Sequence, residues 1–178
     1  MWARYANAMR TAPLATKALT SAGISAAGDA GCQLLVERRE ALDAQRSAKM
    51  ALMGGLMVGP ALHFWYGALL RFVPGTSFGD AARRVALDQL VFAPPFTAAC
   101  FAFLSALDMR GISALKAQLR QRWTDAVIAN WQLWTPAQCV NFYFVPPPYQ
   151  VLFANGVAVG WNVYLSWATH LEVRGDRG

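Results

Sequence analysis

The chain has 178 residues, of which 56% are hydrophobic and only 15% are charged, against about 25% charged residues in an ordinary soluble domain. A domain this small has a large surface for its volume and needs charged residues to cover it in water. The 16 Lys and Arg residues outnumber the 10 Asp and Glu residues but are scattered between apolar runs, so the composition excludes an ordinary soluble enzyme and a nucleic-acid partner and predicts an integral membrane protein.

The N-terminal segment, residues 1–28, is basic and contains no acid, with Trp2, Tyr5 and Met9 at helical spacing. A basic, acid-poor and amphipathic start is typical of a mitochondrial targeting segment. It does not resemble a secretory signal, because no unbroken apolar core with a small-residue cleavage site follows. An interfacial helix that docks the N-terminus on lipid is the alternative, and both interpretations stay open.

Four stretches of the chain predict membrane-spanning helices, because a bilayer core of about 30 Å requires roughly 20 mostly apolar residues in a helix. The predicted spans are residues 14–36, 48–71, 85–107 and 148–170. We therefore predict an all-α fold, a single transmembrane domain over residues 1–178 with four principal transmembrane helices. Such a bundle implies a lipid bilayer as its first partner.

The region before the last predicted span allows more than one interpretation. No charged side chain occurs in residues 126–169, a run too long for one span, and three prolines at 146–148 interrupt it. Residues 126–144 predict an interfacial or re-entrant helix, with a fifth span as the alternative. Residues 108–125 are basic and predict a linker, in which residues 116–123 either lie on anionic lipid headgroups or form a solvated linker helix.

The basic residues predict no orientation of a four-span protein. Seven Lys and Arg residues would lie on the side of the N-terminus and eight on the opposite side. The positive-inside rule needs an asymmetry between the two sides, and these numbers provide none.

Polar side chains recur inside the predicted spans at helical spacing. A polar ridge cannot face hydrocarbon, so these groups either hold helices together or line an aqueous path. The candidate inner polar set consists of Lys17, Asp29, Gln33, Asp88, Gln89, Gln138, Asn141 and Asn162. We predict these residues as the lining of a pore, and contacts between helices are the alternative.

The two acids of this set have the clearest consequences. A charge at membrane depth costs at least roughly 2.5–3.5 kcal/mol, so Asp29 and Asp88 are predicted to be paired or hydrated. Lys17 and Arg84 are the predicted local partners. If Asp29 faces a pore, Asp29→Asn is expected to change ion selectivity. We predict that His63 is a hydrogen-bonded histidine at the membrane interface.

Two pairs of glycines predict close contacts between helices. Gly55 and Gly59 lie in the second predicted span, and Gly156 and Gly160 lie in the last. Small residues at this spacing let two helix backbones approach each other.

Catalytic and metal-binding patterns are absent from the sequence. It contains no Walker loop, no Gly-x-Ser-x-Gly, no His-Glu-x-x-His and no Cys-x-x-Cys. Cys32, Cys100 and Cys139 are widely separated and each lies in an apolar segment, which predicts small buried hydrophobic residues. We predict no catalytic residue, no metal site and no cofactor.

Short motifs in a fixed order cover nearly the whole chain. They are Trp2-x-x-Tyr5, Pro13, Gly28-Asp29-x-x-x-Gln33, Asp43-x-x-Arg46, Gly59-Pro60, Trp65-Tyr66, Asp88-Gln89, Ala93-Pro94, Trp134, Gln138, Asn141-Phe142, Val145-Pro146 and Trp161-Asn162-x-Tyr164-Leu165-Ser166. Together they resemble the Mpv-type family, the small peroxisomal and mitochondrial membrane proteins related to the Mpv-seventeen protein. Residues 35–39, 74–76 and 164–167 resemble the mitochondrial inner-membrane branch most.

The resemblance implies a four-helix protein of the mitochondrial inner membrane, with both termini on one side and no cofactor. The peroxisomal membrane is the alternative location. The family implies a weakly selective channel for small solutes, linked to metabolite and nucleotide pools and membrane homeostasis. A non-catalytic accessory subunit of a large complex, such as a respiratory complex, is the alternative function. A homo-oligomer is also compatible with the resemblance.

Two positions depart from the family pattern. Thr135 separates Trp134 from Pro136, where the family usually has Trp-Pro. Gln150 stands where the family usually has an arginine. Loss of that arginine favours the accessory-subunit interpretation, because an arginine there could tune a pore or pair with a buried acid.

Overall fold

The computed structural model describes the backbone of residues 2–170 and the side chains of residues 4–35, 37–147 and 149–161. Its regular elements within this part are helices. They are α1 (Trp2–Thr11), α2 (Pro13–Gly31, continued by Cys32–Val36), α3 (Ala44–Met53, Gly54–Val58 and Gly59–Phe72), α4 (Phe78–Leu107), α5 (Ile112–Phe144), a 3₁₀ turn (Pro147–Tyr149) and α6 (Gln150–His170). The all-α prediction is confirmed for these residues.

Wide π-helical turns interrupt α3 and α4 without ending them. They cover Gly54–Val58 in α3 and Asp88–Phe92 in α4. Each is followed within three residues by proline, Pro60 in α3 and Pro94 in α4. Proline has no N–H to donate to a carbonyl of the preceding turn. The wide turn shifts the neighbouring backbone hydrogen bonds of the helix around this missing one.

The five long helices α2 to α6 form an up-and-down bundle in which consecutive helices run antiparallel. The contacts that show the directions of α2 to α5 are Lys17–His63 and Asp29–Arg46, Trp65–Asp88 and Lys49–Asp108, and Trp123–Pro94 and Gln138–Asp88. For α6, Val151 belongs to the same buried cluster as Leu69 near one end of the bundle, and Trp161 packs against the cluster that contains Met53 toward the other. We call the end with the start of α2 and the connections 73–77 and 145–149 end A. End B is the opposite end, with the connections 37–43 and 108–111.

The structure corrects the prediction for residues 108–144. They form one continuous helix of 33 residues, Ile112–Phe144, instead of a linker followed by an interfacial or re-entrant helix. The first part of α5 is rich in Ala, Leu, Gln and Arg, which favour helix over loop. Its side chains Val127, Gln138 and Phe142 are buried against the other helices, so α5 is a fifth long member of the bundle.

The surface and the interior show the distribution expected of a membrane protein. Leu19, Leu56, Phe64 and Leu90 are each more than 60% exposed on the outside of the bundle, whereas sixteen of the described polar or charged side chains are buried inside it. Lipid is a good solvent for the first group and a poor one for the second.

Among the described residues, Phe78–Leu107 is the one helix that is long and apolar enough to cross a membrane. The count of four spanning helices stays a prediction.

Candidate functional site

A cavity of about 60 Å³ lies in the middle of the bundle. All five long helices line it, with Ser21 and Ser25 from α2, Leu62 and Tyr66 from α3, Asp88, Gln89, Phe92, Thr97 and Cys100 from α4, Asn130, Trp134 and Gln138 from α5, and Asn155 and Trp161 from α6. A buried water needs about 10–15 Å³, so this volume has room for on the order of four waters.

Asp88 is the charged side chain among the described residues that line this cavity. Its Oδ1 accepts a hydrogen bond of 2.7 Å from Trp65 Nε1, and its Oδ2 accepts bonds of 2.8 Å from Gln89 Nε2 and 3.0 Å from Gln138 Nε2. All three donors are neutral. The cavity therefore contains a buried carboxylate whose described hydrogen-bond partners are all neutral N–H donors.

Arg84 does not pair with Asp88, contrary to the prediction. Its guanidinium donates from Nε and Nη2 to the carbonyl of Val73, at 3.0 and 2.6 Å, and from Nη2 to the carbonyl of Gly75 at 2.6 Å. Carbonyls at a helix end need donors, and here the arginine supplies them. Arg84 thus stabilises the connection 73–77 at end A.

Three amide atoms of the cavity lining lack a hydrogen-bond partner among the described residues. They are Oε1 of Gln89, Oδ1 of Asn130 and Nδ2 of Asn155. These side chains are only 5%, 9% and 2% exposed. Leaving a buried polar group without a partner costs about 1–3 kcal/mol, so the lining is suited to water or a polar solute.

Gln138 links three helices at the end-A side of the cavity. Its Nε2, which donates to Asp88 of α4, also lies 2.8 Å from the hydroxyl oxygen of Tyr66 on α3. Its Oε1 accepts a 2.8 Å bond from Nδ2 of Asn141. Asn141 supports Gln138 from the next turn and is not itself part of the lining. The side chain of Asn162 lies outside the described residues.

Asp29 and Gln33 belong to a second polar cluster, at end B. Arg46 donates from Nε to Asp29 Oδ1 at 2.8 Å and from Nη2 to Glu37 Oε1 at 2.7 Å. Asp29 is fully buried and Arg46 is 4% exposed. Arg46, which no sequence pattern had paired with Asp29, is therefore its partner.

The predicted pairing of Lys17 with Asp29 is wrong. The two residues are twelve positions apart on α2, about 18 Å along a helix axis, so their side chains cannot meet. Lys17 Nζ instead lies 3.1 Å from His63 Nδ1 on α3. His63 thus makes the hydrogen bond that was predicted for it.

The end-B cluster also orders the connection 37–43. Oδ2 of Asp29 accepts bonds from Gln33 Nε2 at 2.8 Å and from Ser47 Oγ at 2.7 Å. Oε1 of Gln33 accepts a 2.6 Å bond from the backbone N–H of Asp43. Asp43 in turn caps α3, because its Oδ1 accepts the backbone N–H of Arg46 at 3.0 Å. These contacts tie α2, the connection and α3 together.

Acid is expected to weaken the end-B cluster through Glu37. The hydrogen bond from Arg46 lowers the pKa of Glu37 from 4.5 to about 2. A group with a lowered pKa stabilises the fold above its unfolded pKa and loses that contribution as the pH falls. As the pH falls from 4.5 to 2, the wild-type protein should therefore lose its advantage in melting temperature over Glu37→Gln. A difference that is constant over this range would contradict the expectation.

The glycines divide into a packed pair and an open pair. A Cβ on Gly59 would lie 2.7 Å from Cα of Ala18, and one on Gly55 would lie 3.2 Å from Cβ of Ala22. These glycines therefore lie where α2 and α3 approach each other. Nothing described lies within 4 Å of a Cβ on Gly156 or Gly160, so this pair makes no close helix contact within the described part of the chain, and its predicted role in helix packing stays a prediction. Both glycines face outward, where no helix of the bundle covers them.

The cysteines behave differently from one another. Cys32 and Cys100 are buried, as predicted, and Cys139 is exposed, because it lies on the outer face of α5. The described residues contain no group of three or more His, Cys, Asp or Glu side chains that could hold a metal ion.

Trp65 and Asn130 are among the residues of the cavity network that the predicted inner polar set did not include. Asn130, Trp134, Gln138 and Asn141 follow one another at spacings of four, four and three residues, which place them on one face of a helix. That spacing could have identified Asn130 once residues 126–144 were taken as a helix. No local signal pairs Trp65 with a residue 23 positions later.

Comparison with known proteins agrees with these motifs. A model described as the Mpv17 / PMP22 family matches residues 105–166, which include all of α5 and most of α6. The human mitochondrial inner membrane protein Mpv17 is 38% identical over 174 residues, 96% of this chain and 98% of the human one. The chain belongs to the Mpv17 / PMP22 family. Protein SYM1 of Gibberella zeae, 38% identical over 167 residues, covers 92% of this chain and 94% of its own.

The names of the relatives within the Mpv17 / PMP22 family indicate the location of the chain. The bovine relative, 39% identical over 96% of this chain and 98% of its own, is also named a mitochondrial inner membrane protein. This member of the family is a mitochondrial inner-membrane protein, so the predicted family and location are confirmed. No solved structure matches the chain.

The two departures from the Mpv17 / PMP22 pattern lie away from the cavity lining. Gln150 is 2% exposed, and its Nε2 donates a 3.1 Å bond to the carbonyl of Val145. It therefore closes the connection between α5 and α6 at end A. Thr135 borders a shallow groove on the outside of α4 and α5.

Proposed function

We propose that this protein is a weakly selective channel for small solutes in the mitochondrial inner membrane, with its pathway through the central cavity. The observation that carries the proposal is the set of partnerless amide atoms on Gln89, Asn130 and Asn155, all buried in one cavity. Polar groups inside a membrane protein persist where they face each other or a hydrated path. The proposal includes no catalytic step and no cofactor.

In this proposal the selectivity residue is Asp88 and not Asp29. Asp88 lines the cavity without a cation beside it among the described residues, whereas Asp29 lies outside the cavity and pairs with Arg46. A carboxylate in the pathway attracts cations and repels anions. Asp29 contributes to the fold of end B.

Selectivity of the reconstituted protein tests this assignment. Asp88→Asn should shift the reversal potential measured across a KCl gradient toward zero, because the only charge on the described lining is removed. Asp29→Asn is the matched control, and a folded sample of it should keep the wild-type reversal potential. A wild-type protein that is folded yet passes no current would refute the channel, and a shift in Asp29→Asn alone would refute the role of Asp88.

We further propose that α5 crosses the membrane in addition to the four predicted spans. Its last 19 residues, 126–144, carry no charge, and 33 helical residues extend about 50 Å, more than the bilayer core of about 30 Å. Five antiparallel spans place the start of α2 and the end of α6 on opposite sides. This arrangement replaces the shared side that the family resemblance implied.

The basic residues of the described part are divided unequally between the two ends. End A would hold Arg4, Arg10, Lys17, Arg71, Arg83 and Arg84, and end B would hold Arg38, Arg39, Arg46, Lys49, Arg110, Lys116, Arg120 and Arg122. Eight basic residues against six give end B the excess that the positive-inside rule requires of the matrix side. End B would therefore face the matrix.

Cysteine labelling in mitoplasts tests the five-span arrangement. In a variant without native cysteines, Pro147→Cys at end A should react with a membrane-impermeant maleimide in intact mitoplasts. Gly111→Cys at end B should react only after the membrane is permeabilised. Labelling of both positions from the same side would show that α5 does not cross.

The accessory-subunit interpretation keeps one supporting observation. Gly156 and Gly160 lie on an open face of α6, beside a groove lined by Val145, Leu152 and Phe153. A small-residue face of this kind suits a neighbouring helix. If the protein migrates on native gels inside a large complex and Gly160→Leu releases it, the accessory role is supported.

A further inference from the structure

A second, smaller pocket opens at end B, away from the central cavity. It lies between α3, α4 and α5 and has a volume of about 10 Å³, which is close to the space that one water-sized oxygen needs. Its polar lining consists of Arg46, Lys49, Ser105, Asp108, Arg110 and Gln118. Three of these side chains are cationic and one is anionic.

The charges of this pocket are ordered around Asp108. Lys49 Nζ pairs with Asp108 Oδ1, and Arg110 Nη2 lies 3.2 Å from Asp108 Oδ2. One carboxylate therefore faces two half-buried cations, while Arg46 directs its charge toward Asp29 and Glu37. The lining keeps an excess of positive charge, which an anion could neutralise.

A buried hydroxyl group gives the pocket a second polar feature. Oγ of Ser105 has no hydrogen-bond partner among the described residues, and the side chain is only 3% exposed. Gln118 on the facing helix is 7% exposed. A hydroxyl donor beside cationic donors is the combination that binds the oxygen atoms of a phosphate group.

The position of the pocket relative to the membrane indicates the source of the phosphate. Asp108 directly follows Phe78–Leu107, the helix long and apolar enough to cross a membrane. The pocket therefore lies where a membrane-crossing α4 leaves the hydrocarbon core, at the depth of lipid headgroups. Basic pockets between helices at this depth bind anionic lipid headgroups.

We propose that this pocket binds a phosphate group, with Lys49, Arg110 and the Ser105 hydroxyl as its donors. The headgroup of an anionic phospholipid and free inorganic phosphate share this chemistry. One phosphoryl oxygen enters between Ser105 and the two cations, and the rest of the ligand stays outside the pocket. The site is independent of the proposed conduction pathway, because the two cavities have no lining residue in common.

Melting temperatures of the purified full chain in detergent test the proposal. Phosphatidylglycerol added to the micelles should raise the melting temperature, and phosphatidylcholine at the same concentration should not. Inorganic phosphate, compared with chloride at the same ionic strength, distinguishes free phosphate from the lipid headgroup. If inorganic phosphate raises the melting temperature, the phosphate group alone is sufficient for binding. If only the lipid raises the melting temperature, the ligand is the headgroup. Equal effects of the two lipids, or no effect of either lipid or of phosphate, would overturn the site.

Two variants distinguish this site from general attraction to a basic surface. Ser105→Ala should melt slightly higher than wild type without ligand, because it removes a partnerless buried hydroxyl, yet should bind phosphatidylglycerol roughly tenfold more weakly. Arg110→Gln should weaken binding by a similar factor. Lys116→Gln, an exposed cation outside the lining, is the control and should bind as wild type does. Equal losses in Lys116→Gln and Arg110→Gln would refute a specific pocket.

Discussion

Arg46→Ala is expected to destabilise the protein by roughly 3–5 kcal/mol, because it removes one partner of a buried ion pair. The variant leaves the Asp29 carboxylate fully buried without its cation and also removes the donor that holds Glu37 on the connection 37–43. Unfolding in detergent, followed by helical circular dichroism against denaturant, would measure the loss.

Arg39→Ala is the matched control for this prediction. Arg39 also pairs with Glu37, at 2.7 Å, but its side chain is 40% exposed. Exposed pairs contribute about 0–1 kcal/mol, so this variant should unfold almost as the wild type does. If Arg46→Ala lost no more than Arg39→Ala, the buried pair would not be the stabilising contact that its geometry indicates.

Gly54→Ala is expected to cost about 1–3 kcal/mol through overpacking, even though alanine favours a helix over glycine by about 1 kcal/mol. A Cβ at this position would lie 2.4 Å from the carbonyl oxygen of Ser21 and 2.5 Å from Oγ of Ser25. The Ser21 contact is backbone, so α2 and α3 must separate to admit the methyl group. Thermal unfolding of the purified protein would measure the cost.

Gly156→Ala provides the comparison in an open part of the bundle. A Cβ there meets nothing described within 4 Å, so the variant should be neutral or gain up to about 1 kcal/mol from helix propensity. Loss of stability in Gly156→Ala, with Gly54→Ala unaffected, would mean that α6 and not α3 carries the close helix contact.

Patterns along the chain predicted the helices and part of the site. The apolar runs identify the helical segments, because lipid requires the backbone to satisfy its own hydrogen bonds. Asp88, Gln89 and Gln138 were recognised as inner polar residues, and the structure brings all three together through hydrogen bonds to Asp88. Polarity inside an apolar run is a local property, which a sequence displays directly.

Partners across helices could not be predicted in the same way. Asp29 and Arg46 are seventeen positions apart and meet only because the connection 37–43 reverses the chain by a particular path. Lys17 was preferred because it shares a ridge with Asp29, although the distance along that ridge is too great. The continuity of α5 was hidden for a related reason: its basic first half and its uncharged second half are typical of different environments, yet one helix contains both.

The wide turns in α3 and α4 have a consequence for the length of these helices. Each turn, Gly54–Val58 and Asp88–Phe92, holds one residue more than an α-helix of the same rise needs. A deletion of one residue inside such a turn would leave the side chains on either side facing as before. The same deletion elsewhere would rotate every later side chain by about 100°, turning polar faces toward lipid. In these two segments, relatives of different length could therefore gain or lose a residue while the side chains that line the cavity still face it.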